Sequence, residues 1–274
     1  MSSTSPATAP VTIQTLRLMK REQRPIAMAT AYDAITAAWA EAAGIDAILV
    51  GDSLTNTALG QPDTIGATLD IMINHCAAVA RGAGRALLIG DMPFMTYKIS
   101  PEQAMASAAR MMQEGRMKAV KLEGGQEVAA TVARLVDAGI PVLGHIGLLP
   151  QSYHAMGGYR LQGRGETEAK RLMNDAIALE EAGAFGIVLE KMPVALAEEI
   201  SKHLAIPTIG IGAGPRCDGQ VLVIADLLGM GERSPIKFVK PYANLREVAT
   251  GALRQYAEEV RGRAFPDPEH SYDA

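Results

Sequence analysis

Asp52, Asp91 and Glu123 each stand just past or at the end of a short apolar run: Ala47-Ile48-Leu49-Val50, Ala86-Leu87-Leu88-Ile89 and Ala119-Val120-Lys121-Leu122. If those runs are neighbouring strands, the three carboxylates converge on one side of a common mouth. Carboxylates so close repel, and a hard cation resolves the conflict. Oxygen-only ligands with no cysteine nearby favour Mg²⁺ over a softer metal. The bland alternative is that each acid caps a helix or pairs with a lysine. Lys121 lies two residues before Glu123, so both share one face of a strand. It is a core ion-pair partner, a holder of a substrate carboxylate or a Schiff-base lysine, the last less needed beside a cation that already polarises a carbonyl. His145 follows Pro141-Val142-Leu143-Gly144, either as a structural histidine or as a group near a substrate. Glu190 follows Gly186-Ile187-Val188-Leu189. Set across from the acidic trio, it is the natural general base for a carbon acid held there, and otherwise a salt-bridge partner of Lys191.

These residues need a scaffold that gathers strand ends. Seven apolar runs lead directly into polar or Gly-rich segments, counting also Ile26 to Thr30 before Tyr32-Asp33 and Pro207-Thr208-Ile209 before Gly210-Ile211-Gly212-Ala213-Gly214. An eighth is Val221 to Ile224, ending near Asp226. Such runs fit strands buried on both faces of a parallel sheet, and polar residues at their carboxyl ends are how a (β/α)8 barrel builds a site. Helical stretches alternate with them: Ala34 to Ala43, Ser100-Pro101 to Glu114, Val128 to Ala138, Glu166 to Ala182 and Val194 to Leu204, most stopped by glycine. Thr12 to Arg21 predicts an extra amphipathic helix that closes the barrel floor. The Gly210 to Gly214 segment lacks the dinucleotide-binding spacing but permits close backbone approach. Two connections are long, Asp52 to Thr68 and Gly147 to Arg164. The second carries Tyr153, Tyr159, Arg160 and Arg164 and predicts a lid or binding loop.

The chain has 274 residues, 48% hydrophobic and 20% charged, which suits one barrel. The expected division is a disordered tail over 1–11 and a single catalytic barrel over 12–274. Net charge is −4 with no dense Lys/Arg run, so nucleic-acid binding has no electrostatic footprint. No stretch is apolar enough to span a bilayer. Met1 to Pro10 reads as a tail rather than a signal peptide, and the two cysteines, Cys76 and Cys217, read as reduced thiols. Together these predict a cytoplasmic protein.

Beyond spacing, the sequence closely resembles the ketopantoate hydroxymethyltransferase family. The resemblance is carried by Thr30-Ala31-Tyr32-Asp33, Leu49-Val50-Gly51-Asp52-Ser53, Asp91-Met92-Pro93-Phe94-Met95 and Val120-Lys121-Leu122-Glu123-Gly124-Gly125. It continues through Gly144-His145-Ile146-Gly147-Leu148 with Pro150-Gln151, Gly157-Gly158-Tyr159, Gly163-Arg164-Gly165, Leu189-Glu190, Cys217-Asp218-Gly219-Gln220 and Phe265-Pro266 to Ser271. Departures fall at Gly66-Ala67 and Ala225, away from the acids. The resemblance implies a barrel of the phosphoenolpyruvate mutase/isocitrate lyase-like superfamily, α/β in class. It implies transfer of a hydroxymethyl group from 5,10-methylenetetrahydrofolate, as co-substrate, to 3-methyl-2-oxobutanoate, giving 2-dehydropantoate for pantothenate biosynthesis. By the same resemblance Asp52, Asp91 and Glu123 bind Mg²⁺. Asp52, Ser53, Asp91, Lys121 and His145 contact the keto acid, and Glu190 accepts its proton. A large homo-oligomer, a decamer of ring-assembled dimers or similar, is also implied. The rivals are another lyase or mutase of the superfamily, whose Lys-Lys-Cys-Gly loop is missing here, and a keto-acid-binding barrel without turnover.

Overall fold

The computed structural model describes residues 9–158, 160–232 and 236–272. It divides into two compact units, one up to Ile224 and one from Ala225 onward. In the first, α1 (Ile13–Arg21) precedes β1 (Ile26–Thr30), α2 (Ala34–Ala42), β2 (Ala47–Val50), a single turn α3 (Leu54–Thr57) and α4 (Leu69–Gly82). Then follow β3 (Leu87–Asp91), α5 (Pro101–Gln113), β4 (Ala119–Lys121), α6 (Ala129–Asp137), β5 (Val142–Gly147), a short α7 (Tyr153–Met156) and α8 (Glu166–Glu181). The series ends with β6 (Gly186–Glu190), α9 (Val194–His203), β7 (Thr208–Ile211) and β8 (Gly219–Leu222), and a one-turn α10 (Ile224–Leu227) begins at the unit's last residue. All eight strands are parallel and β8 pairs with β1, closing the barrel.

Local chemistry sets these boundaries. Thr12, Asp33, Thr68 and Ser100 each accept the N3 amide of the helix they open. Pro101 occupies the first turn of α5, where its missing N–H costs nothing. Gly44, Gly139 and Gly183 take positive φ just beyond α2, α6 and α8.

The barrel interior follows the two-residue period of its strands. Ala47 and Leu49, Leu87 and Ile89, Ala119, Leu143 and Val188 all belong to one buried cluster. Leu16 and Met19 from α1 join it, so the amphipathic helix plugs the amino-terminal end as its pattern predicts. Counting on by two from this layer reaches Asp91, Lys121, Glu123, His145 and Glu190 at the other end. The apolar plug and the polar site are successive layers of one set of inward positions.

Three sequence readings need correction. The tail expected over 1–11 runs too far: residues 1–8 lie outside the described residues, but Val11 is buried in the floor cluster and donates its N–H to Arg85 O. The eighth strand begins two residues earlier than its apolar run, and Ile224 opens α10. A Cβ on Gly219 would lie 2.6 Å from Ile26 O, so the close approach of β8 to β1 demands a residue with no apolar signal. Asp226 therefore sits in a helical turn rather than at a strand end. The third concerns helices: the structure adds α4 and α11 (Leu245–Arg261) to those the sequence pattern predicts.

In the second unit, α11 is capped by Asn244, and its first amides are tied back to Leu228 and Gly229 carbonyls. Arg246 pairs with Glu232, and Tyr256 meets the Phe265 ring edge-on.

Leu16 tests the floor. It is 1% exposed inside the cluster, so Leu16→Ala should lower unfolding stability by about 2–5 kcal/mol. Denaturant titration of the two proteins reads the difference directly.

Candidate active site

Parallel strands place every carboxyl end on one rim. Asp91 ends β3, Lys121 ends β4 with Glu123 two residues on, His145 lies in β5, Glu190 ends β6, and Asp52 and Ser53 follow β2. Asp52, Asp91, Lys121, Glu123 and His145 are all buried. The Lys121 ammonium donates to Asp91 Oδ1 at 2.7 Å and lies 3.6 Å from Glu123 Oε1. The Asp52 N–H donates to Asp91 Oδ2 at 3.2 Å. The sequence-predicted trio is thus one cluster, sharing a single buried cation.

Electrostatics follow from that crowding. Burial pushes the Asp52 carboxyl well above the usual range, and the negative charges of Asp91 and Glu123 push it further. Burial also raises Glu123, against the pull of Lys121 and His145. For Lys121, burial acts to lower the pKa, but Asp91, Glu123 and Asp52 outweigh it and hold the amine above its ordinary value. An amine kept protonated is no nucleophile, so the Schiff-base reading of Lys121 fails.

His145 lies between two acids. Its Nδ1 is 3.6 Å from Glu123 Oε1 and its Nε2 is 3.2 Å from Glu190 Oε2. Neither approach is aligned as a hydrogen bond; both ring nitrogens and Glu123 Oε1 are buried without a hydrogen-bond partner. Burial, helped by Lys121, lowers the imidazole to about 4, so it is neutral at pH 7. Glu190 belongs to β6, four strands round the barrel from β2, and so faces Asp52 across the mouth. Burial raises its carboxyl to about 7, against Lys121 and Lys191. Gly147 makes the His145–Glu190 approach possible. Its φ is +96°, and a Cβ there would lie 2.2 Å from Glu190 O.

Three groups of the site were not singled out for roles by the sequence. The Tyr32 hydroxyl, just past β1, is 2.9 Å from Ser53 Oγ and fixes where that hydroxyl sits. Gln151 bonds Asp52 through its side chain and Glu123 through its backbone N–H. Tyr97, fully buried in the loop after β3, bonds Gln151 Oε1 at 2.7 Å. Tyr32 and Gln151 lie in the family-like segments quoted above; Tyr97 has no such signal.

The two long connections meet at the rim, where His154 Nε2 is 3.1 Å from Asp63 Oδ2. Arg160 and Arg164 are exposed, and Tyr159 lies outside the described residues. The glycines of the 210–214 segment serve packing: a Cβ on Gly214 would meet Val194 at 2.6 Å.

Comparison with known proteins fixes the lineage. The family model for ketopantoate hydroxymethyltransferase matches residues 10–268. The chain belongs to the ketopantoate hydroxymethyltransferase family. It is 54% identical over 270 residues to the 3-methyl-2-oxobutanoate hydroxymethyltransferase of Oleidesulfovibrio alaskensis, covering 98% of this chain and 93% of that one. The same-named protein of Acidothermus cellulolyticus is 52% identical, over 99% of this chain and all of its own. Among solved structures, 2,3-dimethylmalate lyase, a PEP mutase/isocitrate lyase superfamily member, superposes with a TM-score of 0.60 at 18% identity, covering 94% of this chain and 91% of that one. Phosphonopyruvate hydrolase in complex with oxalate and Mg²⁺ gives 0.60 at 16% identity, over 94% and 92%. Those likenesses establish the shared barrel. In this family's chain the barrel rim carries an acidic cluster short of positive charge, with a neutral histidine leading to a second carboxyl. As the side chains stand, no group of three His, Cys, Asp or Glu residues among the described residues is arranged to hold a metal ion.

Lys121→Met tests the cluster as a stability element. Removing the one cation from buried carboxylates should cost about 3–5 kcal/mol in chelated buffer at neutral pH. A denaturant midpoint within error of the wild type would mean the acids are already neutralised by protons.

Proposed function

We propose that the chain transfers a hydroxymethyl group from 5,10-methylenetetrahydrofolate to 3-methyl-2-oxobutanoate, giving 2-dehydropantoate in pantothenate biosynthesis. The observation that carries the mechanism is the pairing of an unfinished acidic cluster with a separate carboxyl, Glu190, held near neutrality on the opposite strand.

The residues present fit Mg²⁺. All candidate donors are carboxylate oxygens, Glu123 Oε1 is buried and unpartnered, and three carboxylates face one ammonium. Asp52, Asp91 and Glu123 would hold the ion. When bound, it supplies Lewis-acid stabilisation of negative charge developing on the keto oxygen, worth several kcal/mol.

The chain's own groups do the rest. Lys121 and Ser53 offer donors to the substrate carboxylate. Glu190 removes the C3 proton of the keto acid, and the resulting carbanion attacks the methylene carbon of the folate. Both C–N bonds that hold the folate methylene break, water supplies the hydroxyl group, and N5 and N10 take up the C3 proton and one proton from water, leaving tetrahydrofolate. His145, neutral and 3.2 Å from Glu190, lies beside the base without competing for its proton.

A large homo-oligomer, a decamer of ring-assembled dimers or similar, is part of this reading. It is supported by α11, where Val248, Leu253, Tyr256 and Val260 form an exposed apolar stripe. Its place is the cytoplasm, in keeping with two cysteines that are free thiols. Among the described residues, no helix is long and apolar enough to cross a membrane.

Two outcomes test the chemistry. Asp52→Ala and Asp91→Ala should each abolish cation-dependent turnover while the fold persists; near-normal activity of either variant in chelated buffer would remove the metal from the mechanism. Glu190→Gln should slow exchange of the C3 deuteron of labelled 3-methyl-2-oxobutanoate by about 10² to 10⁴. Because the base must be ionised, wild-type exchange should climb as pH rises through about 7, and the variant should lose that limb. Wild-type exchange rates in Glu190→Gln would assign the proton to another group, His145 first.

A further inference from the structure

The metal-side carboxylates are held by a residue that belongs to none of the strands. Gln151 lies in a short 3₁₀ turn, Pro150–Ser152, at the root of the long loop after β5, and is 2% exposed. Its Nε2 donates to Asp52 Oδ2 at 2.9 Å and to Met92 O at 3.0 Å. Its backbone N–H donates to Glu123 Oε2 at 3.1 Å. One loop residue therefore bridges two carboxylates delivered by β2 and β4.

Tyr97 fixes which way the amide faces. Its hydroxyl has one proton, and the shortest acceptor is Gln151 Oε1 at 2.7 Å. The Tyr97 hydroxyl oxygen in turn accepts from the Glu123 N–H at 3.1 Å. With Oε1 facing a donor, Nε2 has two acceptors, and an amide flipped end for end would set its oxygen against Asp52 Oδ2 and Met92 O and lose both of those bonds. The chain of contacts is closed: Tyr97 orients Gln151, Gln151 orients Asp52 and Glu123, and Glu123 fixes Tyr97. Every member is buried, where an unmade hydrogen bond costs most. Within this ring of contacts Glu123 Oε1 is a buried oxygen without a hydrogen-bond partner.

We infer that Gln151 is a positioning residue for the divalent cation, setting the Asp52 and Glu123 carboxylates and coupling the 148–164 loop to the acidic cluster. This rests on the metal reading of the same site. It goes further by assigning to a loop residue the orientation of two ligands that strand geometry alone leaves free to rotate. Because the loop root and the carboxylates share hydrogen bonds, occupancy of the cluster and the position of the loop bias one another. The same loop reaches Asp63 through His154, so the coupling extends to both rim loops.

The experiment measures Mn²⁺ affinity by electron paramagnetic resonance, without substrate, for wild type, Gln151→Ala, Gln151→Glu and Tyr97→Phe. Thermal melts confirm that each is folded. Residues that orient metal ligands from outside typically govern 10- to 100-fold in affinity, and Gln151→Ala should fall in that range. Tyr97→Phe, which keeps the amide but releases its orientation, should show a smaller loss in the same direction. Gln151→Glu keeps the shape and replaces the donor by a charge against Asp52, so it should not restore affinity. Mn²⁺ should slow tryptic cleavage after Arg160 and Arg164 in the wild type, and that protection should be lost in Gln151→Ala. Wild-type affinity in folded Gln151→Ala and Tyr97→Phe would overturn the assignment and leave the metal reading intact. No Mn²⁺ binding by the wild type would overturn both.

Discussion

One buried ammonium group answers to three buried carboxylates. Lys121 lies 2.7 Å from Asp91 and 3.6 Å from Glu123, and Asp52 is drawn in through its own N–H. In water such a cluster would scatter; here the barrel forces it together, because β2, β3 and β4 are adjacent and end on the same rim. Burial then makes the missing positive charge expensive. Burial is the leading cause of the elevated Asp52, Glu123 and Glu190 carboxyls and of the neutral His145, and the neighbouring charges of the cluster adjust each of them.

The scaffold accommodates the cluster by separating it from the core along a single period. Inward positions on β3, β4, β5 and β6 are apolar up to one layer and ionisable in the next. α1 seals the lower end with Leu16 and Met19, so the plug of side chains that stabilises the barrel also forms the dry floor of the site. At the upper end, short hydrogen bonds from loop residues replace strand geometry as the organising force. Gln151, Tyr97 and Tyr32 supply them.

Much of this was legible in the sequence because the signal was one-dimensional. A buried parallel strand reads as an apolar run, and the first residues beyond it are the rim, so Asp52, Asp91, Glu123, His145 and Glu190 stood out together. Family likeness supplied Ser53 and the reaction. What escaped depends on three-dimensional approach. The start of β8 was hidden by Gly219, chosen for contact with Ile26 rather than for hydrophobicity. α11 buries no side chain among the described residues and so lacks the core-facing role that the helical reading sought. Gln151 and Tyr97 sit in loops far apart in sequence and meet only when the barrel closes. An amide and a phenol carry no spacing rule that marks them as partners of a carboxylate cluster.

The central claim is that the cluster is electrically incomplete until a divalent cation binds. Thermal unfolding of the chelated protein against increasing Mg²⁺ tests it without any substrate. A cation that binds only the folded state stabilises it by about 2.7 kcal/mol at a hundredfold excess over its dissociation constant. The account predicts a Tm that rises steadily with the logarithm of Mg²⁺ concentration, and a flat response for Asp91→Asn. A wild-type Tm unmoved by millimolar Mg²⁺ or Mn²⁺ would contradict it.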